Sequence, residues 1–467
     1  MVLVLTVVVL QSISFTNYAL TTKTTNIIYG SAPYLTFDGG RTRVTNTEAL
    51  LGISLSDGRT FTPTTNNSSS TNPIELPVVG QSVNDIGMLI PTNTNSIALS
   101  SLIGAPYNYW GDDDGDGVNG VTATGSLNLS IVDNFNNPVA RNKVLDICKA
   151  PYKLTLSNGE GRLTTRYGAP NESRFNSGNA TYYIKPKASP VICFARPNLQ
   201  AGGKVYDGGH VVMDFAGPAD IWNPDKGFLP QSSSYYGLNF PTTGANNLYF
   251  DLDIGGSNQA LSWAPVSHGG ITATMTDSTS TSVRVTLTGP AVTDPNKWRL
   301  INPGRIDRIS LPQTFELVGR DSSGNAVVKY GFKLKQWFVN RGDYMDTLSG
   351  LSSWCNGLGG YRPPKVKDLI NASCRGDDER LGRCPSAVGA TPSSSSYWYM
   401  RYIGAGFITE WGPLLYYANA NFFRYPTAYV VSDPSSDRNK QLIVDDTRVL
   451  TYYSNVVSHG VCIYPYY

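Results

Sequence analysis

Residues 346–374 read DTLSGLSSWCNGLGGYRPPKVKDLINASC. Leu348, Leu351 and Cys355 fall at i, i+3 and i+7, which puts them on one face of a helix. Gly357 and Gly359 would end that helix, because glycine accepts the left-handed conformation that closes a last turn. Pro363 and Pro364 suit the first turn of a second helix, with Val366, Leu369 and Ile370 on its inner face. No other stretch reads as convincingly helical. The segment therefore marks a change of architecture and sets a domain boundary at about residue 336.

Upstream the pattern is that of strands and turns. Between 201 and 335, LYFDLDIGG (248–256), ITATMTD (271–277), SVRVTLTGP (282–290) and TFELVGRDSSGNAVVKYGFKLKQWFV (314–339, running past that boundary) alternate with period two. Their spacing, with turn residues such as DSSGN (321–325) between them, predicts a β-sandwich. Residues 21–200 hold shorter runs: YLTFDGG (34–40), GSLNLSIVD (125–133), YKLTLSNGEGRLTTRYG (152–168) and ATYYIKP (180–186). The D-G-G and S-N-G signals predict hairpins there, and TTNNSSSTNP (64–73) is a loop. Composition agrees. Only seven acidic residues are Glu, the rest being Asp, and Asp favours turns where Glu favours helices. The fold class is mainly β, with tandem β-sandwich-like domains ahead of an α+β C-terminal domain. A net charge of +2 without a basic stripe gives no reason to expect nucleic acid.

Residues 1–20, MVLVLTVVVLQSISFTNYAL, have an apolar core too short to span a bilayer and suited to a secretory signal peptide. A first β-strand is the other reading. Six cysteines with no C-x-x-C pair, and three histidines in all, leave few ligands for zinc. An even count behind a signal reads as three disulfides formed in an oxidising compartment. Cys148 and Cys193, each beside an apolar run, are expected to pair.

The last 130 or so residues resemble the C-type-lectin-like domain that tips bacterial invasin- and intimin-type adhesins. The resemblance rests on WC (354–355), GYRPPKVKDLINA (360–372), GAGFITEWG (404–412) and Cys462. It implies a bond between the first-helix and last-strand cysteines, Cys355–Cys462, which leaves Cys374 and Cys384 to close a local loop. It also implies that GAGFITEWG lies in core strands. Upstream, CKAPYKLTL (148–156), GFLPQ (227–231), NFPTTGANNLYFDL (239–252) and VVKYGFKLKQWFVNRG (327–342) resemble a repeated adhesion domain of enterobacterial invasin-like surface proteins. The domain organisation expected is 1–20 signal, 21–200 N-terminal β domain, 201–335 β-sandwich and 336–467 C-type-lectin-like domain. The C-terminal domain has none of the Glu-Pro-Asn, Gln-Pro-Asp or Trp-Asn-Asp motifs of calcium-dependent sugar sites, so sugar binding there would use aromatic stacking and hydrogen bonds.

Several residues are candidates for function. Asp112, Asp114 and Asp116, with Gly117 next, match the first positions of an EF-hand loop, but Ala123 stands where a bidentate Glu should close the shell. This is no EF-hand. A looser structural calcium site with Asp113 or Asp133 is the reading favoured by mutual carboxylate repulsion, against a solvated Asp-Gly turn. Arg-Gly-Asp occurs at 341–343 and 375–377; the second, with Arg375 and Asp377 beside Cys374, is the better presented for integrin-type contact. Among the dense C-terminal aromatics, Trp398, Tyr416, Phe423 and Tyr452 are the expected ligand face, with Trp354 and Trp411 in the core. The three histidines each stand beside a glycine and are expected in loops. No nucleophile elbow, H-E-x-x-H or P-loop is present, and Glu410 and Glu316 are not an evident glycosidase pair.

The resulting expectation is a non-enzymatic adhesin, secreted or held at a bacterial outer-membrane surface by a separate anchor. Its C-terminal domain would bind a protein or glycan receptor on a host or neighbouring cell. The alternatives are a filament or coat subunit assembling by strand pairing, or a carbohydrate-active enzyme.

Overall fold

The computed structural model describes residues 29–113, 120–372, 387–394, 397–422, 428–435 and 437–465. Residues 1–20, Asp114, Asp116, Cys374, Cys384, Arg375, Asp377 and Phe423 lie outside these, and so do the readings placed on them. The protein is mainly β and divides into two compact units, Met1–Lys187 and Ala188–Tyr467.

In the first unit, Tyr152–Asn158 runs antiparallel to both Ser126–Val132 and Gly178–Lys187 at the middle of a five-stranded sheet. Ile74–Val79 adds in parallel on one side and Ser96–Ala98 closes the other. Period-two alternation sends Leu154, Leu156, Leu127, Leu129, Tyr182 and Ile184 to one buried face. The hairpin expected from S-N-G does not form. Gly161–Thr164 leaves its predecessor and pairs instead with Glu172–Phe175 and Thr122–Thr124 in a separate three-stranded sheet. Gly161 is what permits this crossing: a Cβ there would lie 2.4 Å from the Thr124 carbonyl oxygen.

In the second unit, a seven-stranded sheet centred on Leu248–Gly255 faces a three-stranded sheet that includes Gln313–Arg320 and Ala326–Leu334. Phe250 meets Phe332 edge-on with centroids 5.9 Å apart, and Phe315 stacks on Phe332 at 5.1 Å. The DSSGN turn joins the last two strands as expected, with Asp321 N–H donating to the Asn325 carbonyl.

The C-terminal part adds a six-stranded sheet. Its strands are β1 (Thr243–Ala245), β2 (Gln336–Asp346), β3 (Ala428–Val430), β4 (Lys440–Asp445), β5 (Val449–Tyr453) and β6 (Ser458–Tyr464), in the spatial order β1-β2-β6-β3-β4-β5. β6 thus inserts between β2, antiparallel, and β3, parallel. Helix α1 (Leu348–Leu358) is capped by Thr347, whose side chain accepts from Gly350 N–H, and stops at Gly359 with φ of 88°. Leu351, Trp354, Cys355 and Leu358 are its buried face. Helix α2 (Val366–Leu369) is a single turn that begins after Lys365, so Pro363 and Pro364 precede it rather than form its first turn. Val366, Leu369 and Ile370 are buried as expected. GAGFITEWG is not a strand. Phe407–Trp411 forms helix α3, a wholly buried turn entered through Gly406, whose φ of 108° favours glycine.

The Cys355–Cys462 bond ties α1 to β6 with Cα atoms 5.6 Å apart. Cys148 lies in the turn Ile147–Lys149 of the first unit and Cys193 in the strand Val191–Arg196 of the second, and their pairing stays an expectation. The Cys355–Cys462 bridge spans 107 residues, and a loop of that length restrains the unfolded chain by about 4–5 kcal/mol. The Cys355→Ser/Cys462→Ser double variant is expected to lower the unfolding free energy of the second unit by that order. Tryptophan fluorescence reads it directly, because every tryptophan except Trp110 belongs to that unit.

Candidate functional site

The turn between β4 and β5 has the sequence Asp445-Asp446-Thr447-Arg448. Asp445 Oδ1 accepts from the Thr447 N–H and hydroxyl and from the Arg448 N–H, which fixes the turn's shape. Arg448 Nε also donates to Asp445 Oδ2 at 3.2 Å. Held in this way, the guanidinium lies over two rings, 4.7 Å from the centroid of Trp398 and 5.4 Å from that of Tyr397. The 397–399 segment meets this turn through a bridge between Trp398 and Arg448, and Tyr399 N–H donates to the Thr447 carbonyl. Beneath, Trp398 packs edge-on against Phe215 at 5.9 Å.

From this corner β5 runs along the edge of the sheet. Tyr452 is half exposed, Tyr453 is 78% exposed, and Val457 beyond it is half exposed. Trp398, Arg448 and Tyr397 form one corner of the surface, and the exposed tyrosines lie farther along the same edge strand, Tyr452 and Tyr453 projecting from its opposite faces. The corner is rigid and amphipathic, with a cation already seated on aromatic faces. Such a surface suits recognition by area and by directed hydrogen bonds, since tyrosine and tryptophan lose little entropy on contact. Tyr416, half exposed, hangs instead from the turn Leu414–Tyr416, whose neighbour Tyr417 packs on Tyr249 and Trp411. Sequence reasoning missed Arg448, Tyr397 and Tyr453. Asp-x-x-Arg at a hairpin turn was the available signal for Arg448.

Other candidates are placed elsewhere. The Arg-Gly-Asp at 341–343 lies inside β2 rather than after it. Arg341 is 1% exposed, donating to the carbonyls of Trp298 and Leu300 and pairing with Asp346 at 2.9 Å. Its Gly342 takes φ of 62° under the Trp298 ring, where no side chain would fit. A receptor cannot reach this arginine. The histidines are in strands, not loops: His210 and His268 are exposed, and His459 is buried in β6. Burial holds the His459 imidazole below its ordinary pKa, against the pull of Asp343. In the first unit, Asp113 pairs with Arg43 and accepts from the Tyr34 hydroxyl, so one carboxylate of the acidic loop has a cation of the chain itself.

Trp354 and Trp411 are core residues. Glu410, fully buried beside Trp411, takes five donors: the N–H and hydroxyl of Thr242 and of Thr243, and the Gly404 N–H at 2.8 Å. Burial pushes its pKa up while these donors pull it down. No second carboxylate faces it among its hydrogen-bonded neighbours, and its donors leave no lone pair directed at a substrate.

No protein-family model and no curated protein matches the chain. Among solved structures, it is similar to invasin, described as a bacterial integrin-binding protein, at 13% identity and a TM-score of 0.33. That likeness covers 74% of this chain and 51% of the invasin chain, so the chain spans about half of invasin's length. It is also similar to a C-terminal 282-residue fragment of intimin in complex with the intimin-binding domain of the translocated intimin receptor, at 10% identity and a TM-score of 0.27, covering 74% and 95%. An intimin mutant of EHEC O157:H7 is similar at 12% identity and a TM-score of 0.24, covering 52% and 92%.

Glu410→Ala would leave the backbone N–H groups of Thr242, Thr243 and Gly404 buried without their acceptor. At about 1–3 kcal/mol for each orphaned donor, the variant is expected to lose at least about 3 kcal/mol of stability. A urea titration measures it; a loss below about 1 kcal/mol would show that water or a neighbour replaces the carboxylate.

Proposed function

We propose that this chain is a surface-exposed or secreted bacterial adhesin that binds a receptor on a host or neighbouring cell through its C-terminal part. The observation that carries this reading is the Arg448-capped aromatic corner, continued by the exposed tyrosines of β5. Binding rather than catalysis fits a face built of rings, a guanidinium and a strand edge. In this reading residues 336–467 form the lectin-like receptor-binding domain, carried on the β domains 21–200 and 201–335 behind a cleaved signal at 1–20. Arg375 and Asp377 would add to the contact, and no membrane-spanning element of the chain's own is invoked.

A glycan and host-protein array probed with the full chain tests the proposal. Arg448→Ala and Tyr453→Ser are each expected to weaken the strongest hit at least tenfold, a hot-spot effect of about 1.4 kcal/mol or more. Tyr235→Ser, a 77% exposed tyrosine of the β-sandwich region, should leave it unchanged. Equal binding by all variants would move the site off this face.

The acidic loop is proposed to hold structural calcium through Asp112, Asp114 and Asp116. Chelation should then lower the melting temperature of the first unit by several degrees, as expected when a ligand of the folded state is removed. An unchanged melting curve returns the loop to a solvated turn.

A further inference from the structure

A cleft of about 510 Å³ opens between the β-sandwich strands and the C-terminal sheet, and none of Tyr397, Trp398 and Arg448 lines it. One wall is aliphatic, made by Leu311, Pro312 and Pro465; the others carry Lys335, Lys367, Arg362 and Gln336. Its volume lies within the range of small-ligand sites, about 300–1,000 Å³.

The charges are not balanced. Arg362 donates to Asp368 Oδ2 at 2.7 Å and to the Pro363 carbonyl, and its side chain is 11% exposed. Asp368 also accepts from the Lys365 N–H at 2.8 Å and from Gln336 at 3.5 Å, so this buried pair cancels and its carboxylate is fully engaged. Lys335 and Lys367 are exposed at the cleft, and among the described residues neither has a carboxylate within ion-pair distance. Behind the floor lies Glu410, whose oxygens take the Gly404 and Thr242 N–H groups; Arg401, buried on its far side, donates to the Glu410 carbonyl. Among the described residues, two ammonium groups therefore stand without an ion-pair partner over a concave surface.

We propose that this cleft binds an anionic saccharide, a sugar bearing a carboxylate, with Lys335 and Lys367 meeting the carboxylate and the Leu311–Pro312–Pro465 wall meeting the sugar's C–H face. Gln336 and the exposed Thr391 at the rim would serve the hydroxyls. Among the described residues no aromatic ring lines the cleft, so they offer no platform for stacking a neutral sugar or a nucleotide base. The site is separate from the aromatic face and does not depend on that face binding a receptor.

Titration calorimetry of the full chain tests it, with sialyl- and glucuronyl-oligosaccharides, their neutral counterparts, and inorganic phosphate as probes. The acidic sugars are expected to bind, and the neutral ones to bind at least tenfold more weakly. Binding should weaken with salt, because the lysines are solvent-exposed. Lys335→Gln/Lys367→Gln should lose at least tenfold in affinity for the acidic sugars, while Tyr453→Ser should not change it. Both lysines are exposed, so folding of the double variant is checked by an unchanged melting curve. Failure of every acidic sugar to bind, or binding that the double variant leaves intact, overturns the proposal. Binding of phosphate without acidic sugars overturns the saccharide assignment. Loss of receptor-array binding in Tyr453→Ser with acidic-sugar binding retained separates this site from the aromatic face.

Discussion

Two buried charges hold the second unit together, Arg401 satisfied by backbone carbonyls and Glu410 by backbone N–H groups and two threonine hydroxyls. Arg401 is fully buried, and its guanidinium donates to the carbonyls of Asn198, Gln200 and Glu410 and, at longer range, Ala201, with its plane over Trp222. Glu410 collects donors from Thr242, Thr243 and Gly404. A charge left bare at this depth would strongly destabilise the fold. Each can exist only where distant segments, 203 residues apart for Arg401 and Asn198 and 168 for Glu410 and Thr242, come together in one arrangement. Gly412 shows how tight that arrangement is, since a Cβ there would sit 2.1 Å from Arg401. The β-sandwich region and the C-terminal sheet are thus held by directional bonds as well as by their continuous aromatic core, in which Phe240 lies between Phe228 and Trp411.

That rigidity bears on how the surface features could work. The aromatic corner rests on Phe215, whose carbonyl accepts from the Arg401 N–H. The cleft floor includes Thr242, Gly404 and Gly406, the segments that enclose Glu410. Both candidate surfaces are built on the same charged anchor, so a ligand at either meets preformed groups and orders little on arrival.

Much of this was legible before the structure. Period-two alternation located the strands from Leu248 to Leu334, and the leucine-cysteine spacing with its closing glycine located α1. Those signals are local: they report which face of an element is buried. What they do not report is which strand lies beside which. The S-N-G after Tyr152–Asn158 has the composition of a hairpin, yet the chain changes sheets there because Gly161 lets the backbone pass close to Thr124. In GAGFITEWG residues 405–412 are all buried, Thr409 and Glu410 included, and such a run has no alternation to separate strand from helix. The Arg-Gly-Asp in β2 has the residues of a recognition motif, and only tertiary packing against Trp298 turns its arginine inward. Trp398 was recognisable as a surface aromatic and Arg448 as a turn residue, but that the two meet is visible only through the bridge that pairs them.

The position of β6 has a consequence for the order of folding. A growing chain that has delivered β2, α1, β3, β4 and β5 still lacks the strand on which β2 and β3 meet, and the cysteine that α1 requires. Until β6 arrives, β2 and β3 each present an unpaired edge, and Cys355 is an open thiol on α1. The sheet therefore closes from its centre rather than its rim. Folding of this region waits on its latest strand, and a nascent chain stalled before Ser458 would be both adhesive and oxidisable in ways the finished protein is not.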